Sequence, residues 1–365
     1  FHTRKIGLYN GQPVTVYGGG RLVGRMKSWD IGFLSMQTAP YKDELLSENF
    51  TVLRLQKDVI NDRSTIGGII TSRMNFNGEY NTAYGIDGLF NLFGNEYLRA
   101  MWAQTLENDE NNRVFSVDPT RIFIQWERRQ IEGLAYNLNY NYAGGNYNPG
   151  MGFESRRNYS KYGFTATYNW INDDSWLYYH GFSLDGQLYS DIVNDITETS
   201  ALNFGWNFES RKGLTAGLNA SMLYENLLED FIPYPELSIP SGEYSFLSFR
   251  GNINSPRGRS FVIGTSISSG KWYDGWSNSI TVTPSVIIKQ RLQLTGTYLY
   301  SMASLPERDQ EFYSHIVRLR GQLVFNTKLS LSAFIQYSSI SKLIPGNIRI
   351  RYNPREGNYL YIIYD

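Results

Sequence analysis

The sequence predicts an all-β protein, a transmembrane antiparallel up-and-down β-barrel of about 18 strands, within bounds of roughly 16 to 20. Three observations predict it: apolar and polar residues alternate with a period of two, short and long connections alternate, and the composition is rich in aromatic residues without long apolar runs. We expect one domain over residues 1–365, in which residues 1–12 lead into the barrel.

The alternation is clearest in four segments, at residues 134–142, 162–170, 214–224 and 329–337. In residues 162–170 the aromatic side chains alternate with Gly, Thr and Asn. Successive side chains of a strand point to opposite faces, so this pattern predicts strands with one apolar and one polar face. It does not fit a helix.

The connections between predicted strands alternate in length, as in outer-membrane barrels with short periplasmic turns and long outer loops. We therefore place the protein in the bacterial outer membrane as an integral protein. Short connections are predicted near residues 94–95, 127–130, 172–175, 210–213, 255–259, 289–290 and 326–327. Long ones are predicted near residues 107–118, 143–160, 226–243 and 301–311.

The strand count is least defined at the two ends of the chain. Residues 14–27 fit either one long strand or a short pair, and residues 347–365 fit one strand or two. Pro354 and Gly357 bracket a predicted turn before the last apolar strand, because both residue types favour turns.

The composition excludes several classes of protein. The 365 residues contain 34 basic and 34 acidic residues, so the chain has no net charge with which to attract nucleic acid. The absence of cysteine excludes disulfides and cysteine-based metal sites. No apolar run reaches the ~18 residues of a spanning helix, although 28 Tyr, 20 Phe and 8 Trp are present. A soluble β-sandwich or propeller is the alternative fold.

The alternation also predicts which charged side chains point into the barrel, because an Arg facing lipid costs about 2–4 kcal/mol at the bilayer midplane. Two interpretations are open. The excess of basic residues can favour anions in a pore, or these residues can pair with loops, with a plug or with each other. We favour the second, since interior charges often serve packing. The predicted inward-facing residues are Arg21, Arg25, Arg54, Arg73, Asp87, Arg99, Arg121, Glu127, Asp185, Arg250, Arg318 and Arg320.

A barrel of this size leaves an interior wider than its own side chains can fill. The interior is therefore filled with water or plugged. The long loops, residues 1–11 or a separate domain are the candidate plugs.

The sequence offers little support for catalysis or for a cofactor. The chain has three histidines, His2, His180 and His315. Ser183 follows His180 by three residues, so the two side chains point to opposite faces of a regular strand. No hydrolase or phosphate-binding motif is present. We predict no enzyme activity, no cofactor and no metal site.

Two loop segments offer weaker binding chemistry. Residues 107–112 supply oxygen ligands for Ca²⁺ without the spacing of a calcium loop. Residues 224–234 mix tyrosines with carboxylates, a combination that can bind sugars. An ordinary surface loop is the simpler interpretation of both.

The two ends of the chain carry motifs that resemble an outer-membrane β-barrel domain of Bacteroidota whose function is unassigned. These motifs read FHTRKIGL at residues 1–8, GGGRLVGR at 18–25, WDIGFL at 29–34 and RIRYNPREGNYLY at 349–361. Lys5 stands where that family often has Arg. The resemblance implies that the barrel is the C-terminal part of a longer protein, preceded by a module similar to family 9 carbohydrate-binding domains. It supplies no catalytic residues.

These observations lead to a functional expectation with two rivals. We expect a non-enzymatic outer-membrane barrel that binds or handles glycans or passes small solutes. The first rival is a structural or accessory subunit of a larger outer-membrane complex for secretion, nutrient uptake or barrel assembly. The second is a hydrolase, which needs His, Ser and a carboxylate to meet at the rim. The expected partners are outer-membrane lipid, lipopolysaccharide, glycans and other outer-membrane or periplasmic proteins, and nucleic acid is not among them.

Overall fold

The structure, a computed structural model, describes residues 5–108 and 113–364. The described residues are almost entirely in strands, and none of their helices is long and apolar enough to cross a lipid bilayer. A 3-10 turn covers Pro306–Arg308. The first twelve strands are β1 (Leu8–Tyr9), β2 (Gln12–Pro13), β3 (Val16–Met26), β4 (Trp29–Thr38), β5 (Glu48–Asp58), β6 (Thr65–Asn75), β7 (Tyr80–Phe93), β8 (Glu96–Glu107), β9 (Thr120–Arg128), β10 (Gly133–Ala143), β11 (Tyr159–Ile171) and β12 (Leu177–Asp191). The next twelve are β13 (Ile196–Ser210), β14 (Thr215–Leu227), β15 (Phe231–Tyr234), β16 (Leu237–Ile239), β17 (Gly242–Asn254), β18 (Phe261–Trp272), β19 (Gly275–Ile288), β20 (Leu292–Leu305), β21 (Gln310–Val324), β22 (Leu329–Ser338), β23 (Gly346–Arg355) and β24 (Asn358–Tyr364).

Within the described residues, twenty strands form one large antiparallel sheet. The other four form two separate hairpins, β1 with β2 and β15 with β16. The all-β prediction is confirmed, and twenty strands lie at the upper bound of the predicted range. From β3 to β10, and again from β17 to β24, each strand pairs with the next one along the chain.

The ends of the chain settle the two open strand assignments. Val16–Met26 is one long strand, and the C-terminal segment holds two strands, β23 and β24. The turn between them contains Gly357, whose φ of +85° is a conformation that glycine adopts without strain. Pro354 lies inside β23, where the register shifts between Tyr352 and Arg355, so its missing N–H falls at an irregularity of the ladder.

The predicted alternation of short and long connections holds only in part, because the four connections that follow β17, at residues 255–260, 273–274, 289–291 and 306–309, are all short, and a long segment at residues 39–47 was not predicted. The long segments lie at residues 39–47, 108–119, 144–158 and 228–241, and β15 and β16 are part of the last one. The predicted long connection at residues 301–311 is wrong, because β20 continues to Leu305 and β21 begins at Gln310. Leu305 is 1% exposed, so burial of this side chain favours continuation of the strand through a segment that the nearby Pro and charged residues mark as a loop.

The chain comprises two compact units, each with a hydrophobic cluster of its own. The first unit contains residues Phe1–Ala166 and Gln187–Glu198, and the second contains Thr167–Gly186 and Thr199–Asp365. The cluster of the first unit joins Met151 to Leu34, Phe50 and Val52. The cluster of the second unit consists of Leu237, Ile239, Phe246, Tyr273, Ala303, Leu305 and Phe312.

The sheet has two unlike faces in both units. In the second unit, Leu218 on β14, Phe249 on β17 and Ile267 on β18 lie on one face and are 58%, 56% and 51% exposed. Asn219 and Arg250 face the other way and stand opposite each other in the register. We call these the apolar face and the polar face. In the first unit the apolar face carries a set of side chains that are 37–61% exposed, which comprises Leu53, Leu55, Ile66, Ile70 and Ile86.

Candidate functional site

The polar face of the first unit is crossed by ion pairs between strands. Arg54 on β5 binds the carboxylate of Asp87 on β7 with both terminal nitrogens of its guanidinium group, and Nη2 lies 2.8 Å from Asp87 Oδ1. Gly67 on the intervening strand β6 makes this reach possible. A Cβ at Gly67 would lie 2.9 Å from Arg54 Cζ, so a side chain there would displace the guanidinium. Arg73 on β6 forms a second pair with Glu48 on β5, with Nε 2.8 Å from Oε1.

Residues 144–158, which we call the covering loop, fold over this polar face instead of extending away from the strands. Asn81 on β7 anchors the loop backbone with both ends of its amide. Its Nδ2 donates to the Asn148 carbonyl at 2.8 Å, and its Oδ1 accepts from the Gly150 N–H at 2.6 Å. Asn148 Nδ2 in turn donates to Glu107 Oε2 on β8 at 2.9 Å.

Apolar packing and a buried ion pair fix the rest of the covering loop. Met151 is 1% exposed because it packs against Leu34 and Val52, whose side chains lie on the polar face of β4 and β5. Arg121 on β9 binds Glu154 of the loop, with Nε 2.6 Å from Oε2 and side-chain exposures of 16% and 12%. The loop therefore reaches from β9 across to β4.

The N-terminal stretch joins the covering loop on the same face. Lys5 Nζ donates to the Pro149 carbonyl at 3.5 Å, and Ile6 packs against the cluster that holds Met151. Burial, followed by the charge of Arg73, lowers the pKa of the Lys5 ammonium. Two of the predicted plugs, a long loop and the N-terminal residues from Lys5 onward, thus contact each other here.

The second unit has a counterpart in residues 228–241, which we call the covering hairpin because they include β15 and β16. Leu237 and Ile239 are fully buried against polar-face residues of β17, β20 and β21. Tyr234 stacks on Phe312 with ring centroids 3.8 Å apart. The backbone is also held, since Arg308 Nη1 donates to the Ser238 carbonyl at 2.9 Å.

Tyr273 lies in the turn between β18 and β19 and supports the covering hairpin from the side. It is 8% exposed and its hydroxyl donates to Glu225 Oε2 at 2.5 Å. Burial and then this hydrogen bond to a carboxylate raise the pKa of the Tyr273 phenol. Its ring also contacts Phe231 of the hairpin at a centroid distance of 6.0 Å.

The register places the predicted inward-facing charges other than Asp185 on the polar face, and Asp185 contacts Asn203, which belongs to that face. Only some of these charges have acidic or basic partners. Arg54, Arg73 and Arg121 are paired as described. Glu127 binds Arg129 at 2.5 Å, and Asp185 accepts from Asn203 Nδ2 at 3.2 Å. Arg318 donates to the neutral Gln336 Oε1 at 2.7 Å. Within residues 5–108 and 113–364, no ion pair involves Arg99, Arg250, Arg318 or Arg320.

Neutral amides line another part of the polar face. Asn137, Asn139 and Asn141 occupy alternate positions on β10. The side-chain amide of Asn139 donates to Asn137 Oδ1, and that of Asn141 donates to Asn139 Oδ1, both at 3.1 Å. Gln125 on the neighbouring strand β9 donates to Glu127 at 2.8 Å. This ladder offers uncharged donors and acceptors of the kind that hydroxyl groups match.

The histidines of the strands do not form a site with a serine. His180 stacks on Trp170 with ring centroids 4.8 Å apart, on the apolar face with Phe182. Ser183 belongs to the other face of the same strand. His315 Nδ1 lies 2.9 Å from the Tyr298 hydroxyl, also on the apolar face. His2 lies outside the described residues.

The two loop segments with weaker binding chemistry, residues 107–112 and 224–234, have structural roles in their described parts. Residues 109–112 lie outside the described part of the chain, and Glu107 beside them holds Asn148. In residues 224–234, Glu225 accepts from Tyr273, Asp230 accepts from the Ser241 N–H at 2.9 Å, and Tyr234 stacks on Phe312. No cluster of metal-binding side chains occurs in the described residues.

The sequence interpretation missed the docking of the two covering segments. Leu237 and Ile239 could have predicted this docking, because apolar residues at alternate positions of a connection indicate a short strand with one buried face. Asn81 and Asn148 gave no signal, since asparagine is common both on the polar face of strands such as β7 and in loops.

No protein-family model matches the sequence, and no curated protein matches it.

Proposed function

We propose that the chain is an integral barrel of the bacterial outer membrane that passes small hydrophilic solutes. The large sheet closes on itself, the apolar face contacts lipid, and the polar face surrounds a hydrated passage. The covering loop and the covering hairpin each lie over the polar face of their own unit and reduce the space left for a solute.

The exposure of the apolar face carries the proposal. Leu218, Met222 and Phe249 lie on neighbouring strands of the second unit and are each more than half exposed. In the first unit the apolar-face side chains named above are 37–61% exposed. Apolar surface in water costs about 25 cal/mol per Å². Soluble monomers rarely leave contiguous apolar patches of this kind, whereas a bilayer removes the cost.

Closure of the sheet follows from the same solvent argument. An open strand edge in hydrocarbon leaves N–H and C=O groups unpaired, each at a cost of several kcal/mol, so spanning sheets are closed. A closed sheet of twenty strands encloses more space than its side chains fill. Polar side chains such as Asn219 and Arg250 are compatible with water in that space.

The narrowing of the passage sets the size of the solute. Hydrogen bonds and buried apolar side chains hold both covering segments against the polar face, and an ion pair also holds the covering loop. The amide ladder of Asn137, Asn139 and Asn141 suits solutes rich in hydroxyl groups, and the resemblance of the chain ends points to glycans. We therefore place small glycans first among the candidate solutes.

Two measurements test this function. Cell fractionation is expected to find the protein in outer membranes together with lipopolysaccharide, with a gel mobility that changes on heating. Planar-bilayer recordings of the full chain are expected to show small, stable conductance steps. A freely soluble protein would refute the barrel, and an inserted but electrically silent barrel would refute the passage.

A further inference from the structure

The polar face of the eight strands β17–β24 carries basic side chains but no carboxylates over most of its length. The register places five arginines on it, and no Asp or Glu of these strands shares this face between Gly242 and Tyr352. In the first unit, Arg54, Arg73 and Arg121 are each matched by a carboxylate, whereas Arg99 forms no ion pair with a described residue. The five arginines are Arg250, Arg318, Arg320, Arg349 and Arg351.

Four of these arginines form one patch around strand β22. Arg318 and Arg320 lie on β21, and Arg349 and Arg351 lie on β23. Residues two apart on a strand are about 7 Å apart, and strands on either side of a third are about 10 Å apart. The register staggers the arginines, because Arg320 pairs with Phe334 whereas Arg349 pairs with Ser332. The four side chains therefore form a diagonal row, in which the Cα atoms of Arg320 and Arg349 are about 12 Å apart and their guanidinium groups can share one ligand. We call Arg318, Arg320, Arg349 and Arg351 the arginine patch.

A hydroxyl stands directly across the ladder from each arginine of the patch. Thr297 pairs with Arg318 and Thr295 with Arg320 in the register of β20 and β21. In the register of β22 and β23, Ser332 pairs with Arg349 and Ser330 with Arg351. Guanidinium and hydroxyl donors in alternation are the groups that bind the oxygens of phosphate, sulfate and carboxylate.

The guanidinium groups of the patch keep most of their hydrogen-bonding capacity. Arg318 uses Nε on Gln336, and Arg349 lies over the Tyr361 ring with its Cζ 4.4 Å from the centroid. Arg320 and Arg351 have no ion pair or side-chain hydrogen bond among the described residues, and all four arginines are exposed. A guanidinium group carries five N–H donors, so one neutral contact leaves most of them for a ligand.

The geometry assigns the arginine patch as a binding site for oxyanion groups on the transported solute. The proposed passage therefore prefers anionic hydrophilic solutes, such as sugars that carry phosphate, sulfate or carboxylate groups. This inference rests on the proposed function and names its solute class. A ring or patch of basic side chains in a pore raises the local anion concentration and excludes cations.

The test compares the full chain with two quadruple variants. The patch variant is R318Q/R320Q/R349Q/R351Q, which keeps side-chain length and polarity but removes four charges. The control variant is K212Q/R257Q/K289Q/K328Q, which removes four charges from exposed residues of short turns in the same unit. Heat-modifiable gel mobility establishes that each variant is folded before it is measured.

The first readout is the reversal potential across a planar bilayer under a KCl gradient. The wild type and the control variant are expected to prefer Cl⁻. In the patch variant the anion-to-cation permeability ratio is expected to fall by about tenfold, the low end of the counter-ion enrichment that focused fields produce. A cation-preferring wild type, or an unchanged ratio in the patch variant, overturns the inference and leaves the passage standing.

The second readout is calorimetric titration of the folded protein in detergent with inorganic phosphate, which requires no conductance. The wild type and the control variant are expected to bind phosphate, and the patch variant is not. If the barrel is silent but this binding pattern holds, the passage fails and the oxyanion site stands. If the barrel is silent and the wild type binds no phosphate, both proposals fail.

Discussion

The absence of a side chain at Gly67 allows Arg54 to form its ion pair with Asp87. Gly67 leaves the space over β6 empty, and the Arg54 guanidinium fills it to reach Asp87 two strands away. The two side chains are 29% and 33% exposed, so water screens their attraction only in part. We therefore expect this pair to contribute measurably, but modestly, to the stability of the first unit.

A double-mutant cycle with R54Q and D87N measures that contribution. Each single variant leaves one charge without its partner, so we expect a coupling of about 0.5–1 kcal/mol in the free energy of unfolding by urea. The cycle of R99Q with E48Q is the control, because these residues form no ion pair with each other. A coupling in the first cycle no larger than that in the control would contradict the assigned pair.

The sequence predicts the face of such residues better than their partners. Period-two alternation within one strand is enough to place Arg54 and Arg73 on the polar face. The partners Asp87 and Glu48 come from other strands, and the pairing depends on register and on Gly67, which alternation does not contain. For the same reason the sequence did not separate these paired arginines from the unpaired Arg318 and Arg320.

Tyr273 gives the second unit a pH-dependent element of stability. The folded protein holds the phenol proton more tightly than the unfolded chain, where a tyrosine pKa is 10.0. The Tyr273 contribution is therefore complete below pH 10 and is lost as the pH rises above that value.

The variant Y273F isolates this element of stability. At pH 8 we expect it to lower the free energy of unfolding by about 1.5–3 kcal/mol, because a hydrogen bond to a charged group is lost. The gap to the wild type is expected to shrink above pH 10. The control is Y17F, at a tyrosine that is 67% exposed. A gap that stays constant or widens above pH 10 would be inconsistent with the raised pKa.

At the scale of elements, the two covering segments determine how much of the polar face stays open. The sequence predicted both as long connections, because turn residues and polarity mark where strands stop. It did not predict their direction, since docking depends on buried contacts with strands far away in the chain. Met151 and Leu34 are 117 positions apart in the sequence, yet they belong to the same hydrophobic cluster.

Truncation of Met151 tests the docking of the covering loop. M151A removes a side chain that is 1% exposed, and such a change costs about 2–5 kcal/mol. We expect the loop to detach, so trypsin should cleave after Arg156 and Arg157 faster and the conductance step should grow. F153A is the matched control, since Phe153 lies in the same loop and is 77% exposed. Equal cleavage rates in the two variants would mean that Met151 does not hold the loop.

The proposed function of the whole protein depends on which solvent contacts each face of the sheet. The number and direction of strands follow from alternation and turns, and this part of the fold was predictable within the stated bounds. In the proposed barrel, lipid contacts the exposed apolar face and a hydrated solute contacts the polar face, which carries the arginines of β17–β24.

The folding free energies of L218R and N219R in lipid vesicles test most directly whether the apolar face contacts lipid. The two residues are neighbours on β14 and point to opposite faces. An Arg at Leu218 meets hydrocarbon and is expected to cost about 2–4 kcal/mol, whereas an Arg at Asn219 meets water and is expected to cost little. If the two variants lose the same folding free energy, or if N219R loses more, the apolar face does not contact lipid.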